Sequence, residues 1–377
     1  MGEPIRIAHI MGKWIGGGVE AVVMNYYRHI DHSKIQFDFI CDSDSTDIPY
    51  DEIKSYGGKV ILVPPYQKLF KYNKELEKVL KKGNYRIVHS HINTLSVFPL
   101  KIAKKVGVPI RIAHSHSTTN KREFKKNCLK QLLRKFSKVY ATHYFACSEL
   151  AGRWLFGNRT FEEGKVFILN NAIEVEKFKY NKAIRDKIRK ELGIDENTLA
   201  IGHVGRFVTQ KNHKFLINIF NELHKQNSNT VLLLVGKGPL MNDIEEKVKQ
   251  LKIDKCVFFL GQRNDVNELY QAMDVFLLPS LYEGLPVVGI EAQVAGNICF
   301  FSDKMTKETK ILDSTVIMSI NDLPKKWAEK ILILAKDYRN PNLRNQIEKS
   351  NFNIIIEGKR LENKYFSYLE KESKCVE

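Results

Sequence analysis

Short β-rich runs alternate with helical stretches along the whole chain, and the alternation restarts near the middle. Consecutive strands in such a chain pair in parallel, and the helices between them cover both faces of the sheet. The first half contains runs at residues 5–11, 36–41, 59–63, 86–91, 110–116, 144–148 and 165–171. The second half contains runs at 200–207, 230–236, 256–261, 275–280, 297–303 and 315–319. The pattern predicts an α/β protein with two Rossmann-like, doubly wound parallel-sheet domains.

The length of 377 residues also favours two domains, because single cores rarely keep growing at this size. A highly charged stretch at 173–196 separates the two sets of runs, so we predict domains at 1–180 and 181–357. Residues 358–377 are rich in Lys and Glu and predict a final helix that can pack on either domain. Ligands of parallel sheets bind beyond the carboxyl ends of strands, so the cleft between the domains is the expected active site.

Composition excludes several classes of protein. Hydrophobic residues make up 43% and charged residues 27%, which is typical of a globular chain and excludes a disordered one. No apolar run approaches the roughly 20 residues of a bilayer-spanning helix. Gly16–Gly18 interrupt the opening apolar segment, so no signal peptide is predicted and we expect a cytoplasmic protein. The six cysteines lack C-x-x-C and zinc-ligand spacing, so we expect free thiols and neither a metal site nor a disulfide frame.

Positive charge is concentrated in the first half of the chain. The net charge is +17, and residues 1–180 contain 30 basic and 17 acidic side chains. Such a field attracts polyanions: nucleic acid, an anionic membrane or a phosphate-bearing substrate. Residues 121–138 combine many of these charges with apolar residues at helical spacing. This basic amphipathic helix faces a membrane, or is a surface helix whose apolar stripe joins the core, and the two interpretations are compatible with each other.

The first strand is followed by Gly16-Gly17-Gly18-Val19-Glu20-Ala21. Residues without Cβ allow backbone N–H groups to approach an anion at the start of the next helix, so a phosphate or sugar can bind here. The segment also fits G-x-G-x-x-A, and Asp38 or Asp42 follows on the next strand, which is the pattern of an NAD site. A structural tight turn is the third interpretation.

Two glutamates frame the start of a helix in the second half. Glu283 and Glu291 lie eight residues apart, and Pro279-Ser280-Leu281-Tyr282-Glu283-Gly284-Leu285-Pro286 separates a strand from an apolar helical stretch. The amides of Gly284 and Leu285 at that helix start suit a diphosphate. Alternatively, Glu283 caps the helix and Glu291 is a solvated side chain.

Two cations follow the first strand of the second half. Arg206 ends this strand, and Lys211 comes shortly afterwards at a predicted helix start. Together they can neutralise a diphosphate without a metal ion. The turn Gly236-Lys237-Gly238 after the next strand brings backbone close to the same place. Each cation taken singly is equally compatible with a surface charge.

Four histidines, His89, His91, His114 and His116, lie at the ends of the fourth and fifth predicted strands. The H-x-H spacing can hold a metal ion, but no acidic or Cys ligand accompanies it at a known spacing. We therefore favour hydrogen bonding or proton transfer to a sugar, with some of the four as structural residues. The D-x-D of Asp42 and Asp44 is interpreted as a coincidence in a charged loop.

With these residues assembled, the chain resembles the retaining GT-B glycosyltransferases of the "glycosyl transferases group 1" family (family 4), in the capsular and exopolysaccharide branch. The resemblance spans nearly the whole chain. Its most specific element is the E-x7-E pattern of Glu283 and Glu291, supported by Gly205-Arg206 with Lys211-Asn212 and by the N-terminal glycines. The chain departs from the family pattern at Ala172, where glycine is usual, and at Asn297-Ile298-Cys299, where proline is usual.

The resemblance implies a role for each matching residue. Arg206 and Lys211 hold the donor diphosphate, Glu291 binds the ribose hydroxyls, and Glu283 with the amides of Gly284 and Leu285 binds the donor sugar. His116 corresponds to the family histidine near the reacting sugar. Gly17 and Gly18 form a loop that closes over phosphate and acceptor, and the final helix crosses back to the first domain.

The leading hypothesis is transfer of a hexosyl or N-acetylhexosaminyl group from a nucleotide-diphosphate sugar, most often a UDP-sugar in this family, to a saccharide or lipid-linked saccharide. Retention of configuration, front-face attack, no cofactor and no metal are expected, with the basic first domain on an anionic membrane and no nucleic-acid partner. The alternatives are an NAD-dependent oxidoreductase that uses Gly16–Gly18 and a non-enzymatic polyanion-binding protein.

Overall fold

The computed structural model describes residues 3–116, 124–335, 346–347 and 350–374, except the side chains of 124–129. The chain divides into two compact units, Met1–Ala172 with Asn353–Glu377, and Ile173–Phe352. The sequence boundaries at 180 and 357 therefore differ from the structural division. The first boundary lies before residue 180 because a short helix at Val175–Phe178 packs on helices of the second unit.

The first unit contains a seven-stranded sheet in which every adjacent pair is parallel, in the order β3-β2-β1-β4-β5-β6-β7. Its strands are β1 (Ile5–Gly12), β2 (Ile35–Asp42), β3 (Lys59–Val63), β4 (Ile87–Ser90), β5 (Ile110–Ser115), β6 (His143–Ala146) and β7 (Val166–Ile168). The helices between them are α1 (Gly18–His29), α2 (Tyr50–Ser55), α3 (Leu69–Gly83), α4 (Val97–Lys105), α5 (Phe124–Lys135), α6 (Glu149–Phe156) and α7 (Asn158–Glu162).

The second unit contains a six-stranded parallel sheet in the order β10-β9-β8-β11-β12-β13. The strands are β8 (Leu199–Val204), β9 (Thr230–Val235), β10 (Val257–Gly261), β11 (Val275–Leu278), β12 (Ile298–Ser302) and β13 (Val316–Met318). The helices are α8 (Val175–Phe178), α9 (Lys182–Glu191), α10 (His213–Gln226), α11 (Met241–Gln250), α12 (Val266–Ala272), α13 (Val287–Val294) and α14 (Pro324–Leu334). Helix α15 (Ile354–Lys374) belongs to the first unit and packs on α1.

The prediction of two Rossmann-like domains is confirmed. All thirteen predicted runs overlap a strand, because buried parallel strands are nearly continuous apolar segments. Strands β4 and β5 end before the runs that predict them, so His91 and His116 lie just after these strands rather than within them. Among the described residues, no helix is both long enough and apolar enough to span a bilayer. None of the four cysteines with described side chains forms a disulfide.

Candidate active site

The second sheet reverses its strand order between β8 and β11. From this pair the chain continues to β9 and β10 on one side and to β12 and β13 on the other. Loops that leave such a switch point in opposite directions open a crevice at the carboxyl ends of the strands, where ligands of parallel sheets bind. The loops that start here carry Arg206 and Lys211 after β8 and Glu283 after β11.

A nearly buried ion pair joins these two loops. Nζ of Lys211 lies 2.7 Å from Oε1 of Glu283, and the two side chains are 15% and 9% exposed. The amide of Gln210 donates to Oε2 of Glu283 at 2.9 Å and to the carbonyl of Tyr282 at 3.0 Å. Both carboxylate oxygens of Glu283 are therefore held. An ammonium group has three donors, so Lys211 retains two for a ligand.

Glycines let the loops after β8 and β9 pack against each other. A Cβ on Gly236 would lie 2.2 Å from the carbonyl oxygen of Gly205, and Gly236 has a φ of +134°. A Cβ on Gly238 would lie 2.6 Å from the carbonyl oxygen of Phe207. Backbone bonds join the two loops, from Gly205 N to Val235 O and from Phe207 N to Lys237 O. A Cβ on Gly205 would also lie within 3.2 Å of the Lys211 side chain, so glycine at 205 makes room for this stem.

Arg206 differs from Lys211 in its surroundings. Its side chain is exposed, and its guanidinium makes no hydrogen bond or ion pair with any residue in the described ranges. An exposed guanidinium can bind a phosphate in a bidentate manner without first breaking a contact within the protein.

Glu291 lies in the middle of α13 and accepts a hydrogen bond of 3.0 Å from the hydroxyl of Tyr270. Burial raises the pKa of Glu291 to about 7, and the Tyr270 bond opposes part of this shift. The amide of Asn297 donates to the carbonyl of Tyr270 at 3.2 Å and so helps to hold this tyrosine. Gly296, with a φ of +84°, ends the helix in the usual left-handed conformation, so the departure at 297–299 leaves an ordinary helix end. Gly284 and Leu285 are buried in the loop before α13.

In the first unit, the turn at Gly17 and Gly18 leads into α1, as the sequence predicts. The carboxylate of Glu20 already lies over this turn and accepts a bond of 3.2 Å from the amide of Ile15. A Cβ on Gly17 would be 2.8 Å from Oε2 of Glu20, whereas nothing lies within 4 Å of one on Gly18. A phosphate that binds to the Gly17 amide would have to displace this carboxylate.

Of the two acidic residues of β2, Asp38 does not have the position of a ribose-binding carboxylate in a dinucleotide fold, whereas Asp42 is the last residue of the strand. Asp38 lies within β2 rather than at its end, and it binds Arg6 and the hydroxyl of Tyr85. Asp42 is buried, and desolvation raises its pKa to about 6, whereas Asp44 is exposed and pairs with Lys13 at 2.8 Å. The two members of D-x-D thus lie in different environments.

Five histidines of the first unit form a buried cluster, because His9 joins the four that the sequence predicts. His9 and His89 are register partners on β1 and β4, at the switch point of the first sheet. One row runs from His9 Nδ1 to His91 Nε2 at 2.9 Å and from His91 Nδ1 to His116 Nε2 at 2.9 Å. A second row runs from the Tyr365 hydroxyl to His89 Nδ1 at 2.7 Å and from His89 Nε2 to His114 Nδ1 at 3.0 Å. The rows stack with 4.3 Å between the ring centroids of His89 and His91.

Burial keeps these rings neutral. Desolvation lowers the pKa of His9 and of His116 to about 3, and it also lowers the pKa of the other three. Two triads could supply ligands to a metal ion, His9-His89-His91 and His91-His114-His116. Within each row, however, the facing nitrogens are at hydrogen-bond distance, so one of each pair carries a proton rather than a free lone pair. The absence of a metal ion stays a prediction.

Three contributors were missed from the sequence: His9, Gln210 and Tyr270. A single histidine in an apolar strand, a glutamine in a loop and a tyrosine on a helix have no motif of their own. The one signal that points to His9 is its strand position, since β1 and β4 are adjacent in a doubly wound sheet.

The sequence matches proteins of a known family over both units. The family model "Glycosyl transferases group 1" matches residues 184–354, and "Glycosyltransferase Family 4" matches 16–177. EpsF of Bacillus subtilis, whose name assigns it to the glycosyltransferases, is 37% identical over 332 residues, which cover 86% of each chain. The chain belongs to this glycosyltransferase family.

Two further relatives of this glycosyltransferase are named a galactosyltransferase and a capsular polysaccharide biosynthesis glycosyltransferase. The Escherichia coli UDP-Gal:alpha-D-GlcNAc-diphosphoundecaprenol alpha-1,3-galactosyltransferase is 26% identical over 96% of each chain. The capsular polysaccharide biosynthesis glycosyltransferase CapH of Staphylococcus aureus is 25% identical over 96% of this chain and 99% of its own. The structure of Anabaena HepE with UDP and glucose aligns with a TM-score of 0.80 over 96% of this chain and 100% of that one, at 14% identity, which confirms the GT-B fold.

Proposed function

We propose that this glycosyltransferase moves a sugar from a UDP-sugar to a saccharide carried on a lipid diphosphate, with retention of anomeric configuration. The observation that carries the proposal is the Lys211–Glu283 pair at the switch point of the second sheet, beside the exposed Arg206. The UDP bound to HepE, and the donor and acceptor in the name of the E. coli relative, support the choice of substrates.

The donor binds through its charged and hydroxyl groups. Arg206 and the two remaining N–H donors of Lys211 contact the diphosphate, and Glu291 accepts hydrogen bonds from the ribose hydroxyls. Glu283, oriented by Gln210 and Lys211, faces the donor sugar together with the loop of Gly284 and Leu285. The charges of Lys211 and Glu283 are held in place before the reaction, so Lys211 stabilises the leaving group with little cost of reorganisation.

The reaction exchanges one bond for another at the anomeric carbon. The bond from this carbon to the diphosphate oxygen breaks, and the nucleoside diphosphate leaves with the electron pair while positive charge develops on the sugar. The acceptor oxygen attacks the anomeric carbon from the face that the diphosphate leaves. The departing diphosphate takes the proton of the acceptor hydroxyl. Arg206 and Lys211 stabilise the negative charge that develops on the diphosphate, so this scheme uses no metal ion or cofactor.

A surface of the first unit suits an acceptor embedded in a membrane. Among the described side chains on or just after α5, three apolar ones are exposed: Leu132 at 53%, Phe136 at 47% and Val139 at 53%. The basic residues Lys130, Arg134, Lys135 and Lys138 lie between and around them. Exposed apolar groups beside cations are the features of a helix that binds an anionic lipid surface. The predicted basic helix began at residue 121, and 121–123 and the side chains of 124–129 lie outside the described residues.

The proposal is tested with UDP-, GDP- and ADP-sugars, first by thermal shift and then by transfer to a polyprenyl-diphosphate saccharide. We expect stabilisation by one UDP-sugar and product formation with it. Stabilisation by GDP- or ADP-sugars alone would contradict the choice of UDP. A product of inverted anomeric configuration would contradict retention.

Arg206→Ala and Lys211→Ala should each lower transfer by roughly 10²-fold or more, as the loss of a preorganised donor to a developing anion does elsewhere. Arg206→Ala is the cleaner variant, since Lys211→Ala also leaves Glu283 without its partner. Lys225→Ala is the matched control, because it breaks an exposed Lys–Glu pair that is also 2.7 Å long. Wild-type turnover in both Arg206→Ala and Lys211→Ala would remove the assignment of the diphosphate site.

A further inference from the structure

The row His9–His91–His116 connects the buried middle of the first sheet to the end of β5. At its inner end, Nε2 of His9 is buried and has no hydrogen-bond partner among the described residues. At its outer end, no hydrogen bond joins Nδ1 of His116 to a described residue, and His116 is 7% exposed against 1% for His9. The backbone amide of His116 donates to Oδ1 of Asn93 at 2.7 Å, so the backbone is held at this position while His91 holds the ring.

The number of protons in the row is fixed by the neutrality of the rings. Three neutral imidazoles carry three protons on six nitrogens. Two protons lie in the hydrogen bonds between the rings, so the third must be at one end of the row, on His9 Nε2 or on His116 Nδ1. A proton at one end of the row excludes a proton at the other end, because a neutral ring that donates through one nitrogen accepts through its second.

The buried end decides between these two arrangements. A buried N–H without a partner loses the full hydration of a donor, and such orphaned groups are rare in folded proteins. If His9 keeps a bare lone pair at Nε2, then His9 donates to His91, His91 donates to His116, and the remaining N–H is on His116 Nδ1. At that position water or a ligand oxygen can accept it.

We propose that His9 and His91 are positioning residues that fix His116 as the Nδ1–H tautomer, so that it presents a hydrogen-bond donor to the ligand. The donor recognises a ligand oxygen of the sugar or phosphate, and this part of the inference rests on the proposed function. His116 in this form has no free lone pair toward the ligand, so it is not the base that removes the acceptor proton. That proton goes to the departing diphosphate.

The second row does not offer the same donor. Nε2 of His114, where this row ends, is buried without a partner among the described residues. Its opposite end is the Tyr365 hydroxyl on α15, which is also buried. Both ends are enclosed by the first unit, so the second row has a structural role beside the first.

The tautomer is measured directly by long-range ¹H–¹⁵N correlation on the full chain labelled with ¹⁵N-histidine at neutral pH, with the His116 signals assigned by their loss in His116→Asn. We expect His116 to be the Nδ1–H tautomer without any substrate. The Nε2–H tautomer in the wild-type protein would overturn the proposal, and this result needs no variant to fold.

Two variants of His91, at the middle of the row, test the direction in which its hydrogen bonds are donated. In His91→Asn the side-chain amide can occupy the position of Nδ1 and donate to His116, so the Nδ1–H tautomer should persist. In His91→Asp a carboxylate at the same position can only accept, so the proton of His116 should move to Nε2. An unchanged His116 tautomer in a folded His91→Asp would contradict control by the row. His224→Asn, a histidine of the second unit, is the control for labelling and assignment.

Kinetics provide a second readout. His91→Asn should retain kcat within about threefold, whereas His91→Asp should lower kcat at least tenfold with a smaller change in the KM of the donor. Equal losses in both variants, with the tautomers as expected, would contradict the donor role of His116. If no nucleotide sugar is a substrate but the tautomer is Nδ1–H, then the proposed function fails and the assignment of the row stands.

Discussion

At the scale of single residues, the charged carboxyl group of Glu291 has opposite effects: it lowers the stability of the folded protein and favours the proposed binding of the donor. Burial raises its pKa from 4.5 to about 7, so the folded protein retains this proton at pH values where the unfolded chain has lost it. The contribution of Glu291 to stability therefore declines as the pH rises from about 4.5 to 7, and its cost is complete above that window. The bond from Tyr270 offsets only part of this cost.

We expect Glu291→Gln to raise the free energy of unfolding at pH 8 by roughly 1–3 kcal/mol, because the variant no longer buries a charge. The gain should disappear near pH 4.5. The same change should weaken UDP-sugar binding about tenfold, since a neutral amide is a poorer acceptor for ribose hydroxyls.

Urea unfolding at pH 8 and pH 4.5, with calorimetric titration of the donor, measures both effects. Glu222→Gln, at a partly exposed carboxylate on α10 that pairs with Lys225, is the control and should change neither quantity by much. A variant that is less stable than wild type at pH 8 would indicate that the Tyr270 contact outweighs the desolvation.

At the scale of elements, the site depends on two loops that approach more closely than side chains allow. Gly236 after β9 touches the backbone of Gly205 after β8, and Gly205 in turn leaves room for the stem of Lys211. The position of the Lys211 ammonium is thus set by backbone packing between neighbouring strand ends.

Gly236→Ala should lower the free energy of unfolding by roughly 2–5 kcal/mol, because it adds a backbone clash to an unfavourable φ. Gly193→Ala is the matched control: Gly193 also has a positive φ, +66°, but nothing lies within 4 Å of its Cβ position. We expect the control to cost about 1–2 kcal/mol and to leave donor affinity unchanged.

Denaturant unfolding and donor titration compare the two variants. Donor affinity should fall only in Gly236→Ala, since only this substitution moves the segment of Gly205 and Arg206. Equal effects of both substitutions would show that the close approach does not position the site.

At the scale of the whole molecule, charge is distributed unevenly, with 30 basic and 17 acidic residues in the first 180. Attraction of this region to anionic lipid acts at long range and is screened by salt. The exposed Leu132 and Phe136 contribute apolar binding free energy that salt does not remove.

We expect the protein to sediment with vesicles that contain about 30% phosphatidylglycerol and to be released as salt rises from about 0.05 to 0.5 M. The double change Leu132→Ser with Phe136→Ser should weaken binding severalfold at low salt. Ile333→Ser, at a side chain that is 60% exposed on α14 of the second unit, is the control. Equal binding to neutral vesicles, or no effect of the double change, would contradict the proposed lipid surface.

The sequence by itself determined the elements and their order. Apolar runs such as 230–236 and 275–280 predict buried strands because the period and length of such a run are local properties of the chain. Glycines at strand ends and the E-x7-E spacing of Glu283 and Glu291 are also local, so the sequence alone is enough to predict the loops of the proposed site. The same local information placed His116 at a strand end.

Only the tertiary structure decided which of these side chains meet. Lys211 and Glu283 are 72 residues apart in the chain, and their pairing depends on β8 and β11 being neighbours in the sheet. His9, His91 and His116 meet because β1, β4 and β5 are adjacent, and the chain passes through two other strands between the first two of these. Hydrogen bonds and ion pairs form over a few ångströms, whereas the position of a residue in the chain fixes its neighbours only within an element. The order of the strands in each sheet determines which residues that are distant in the chain become neighbours.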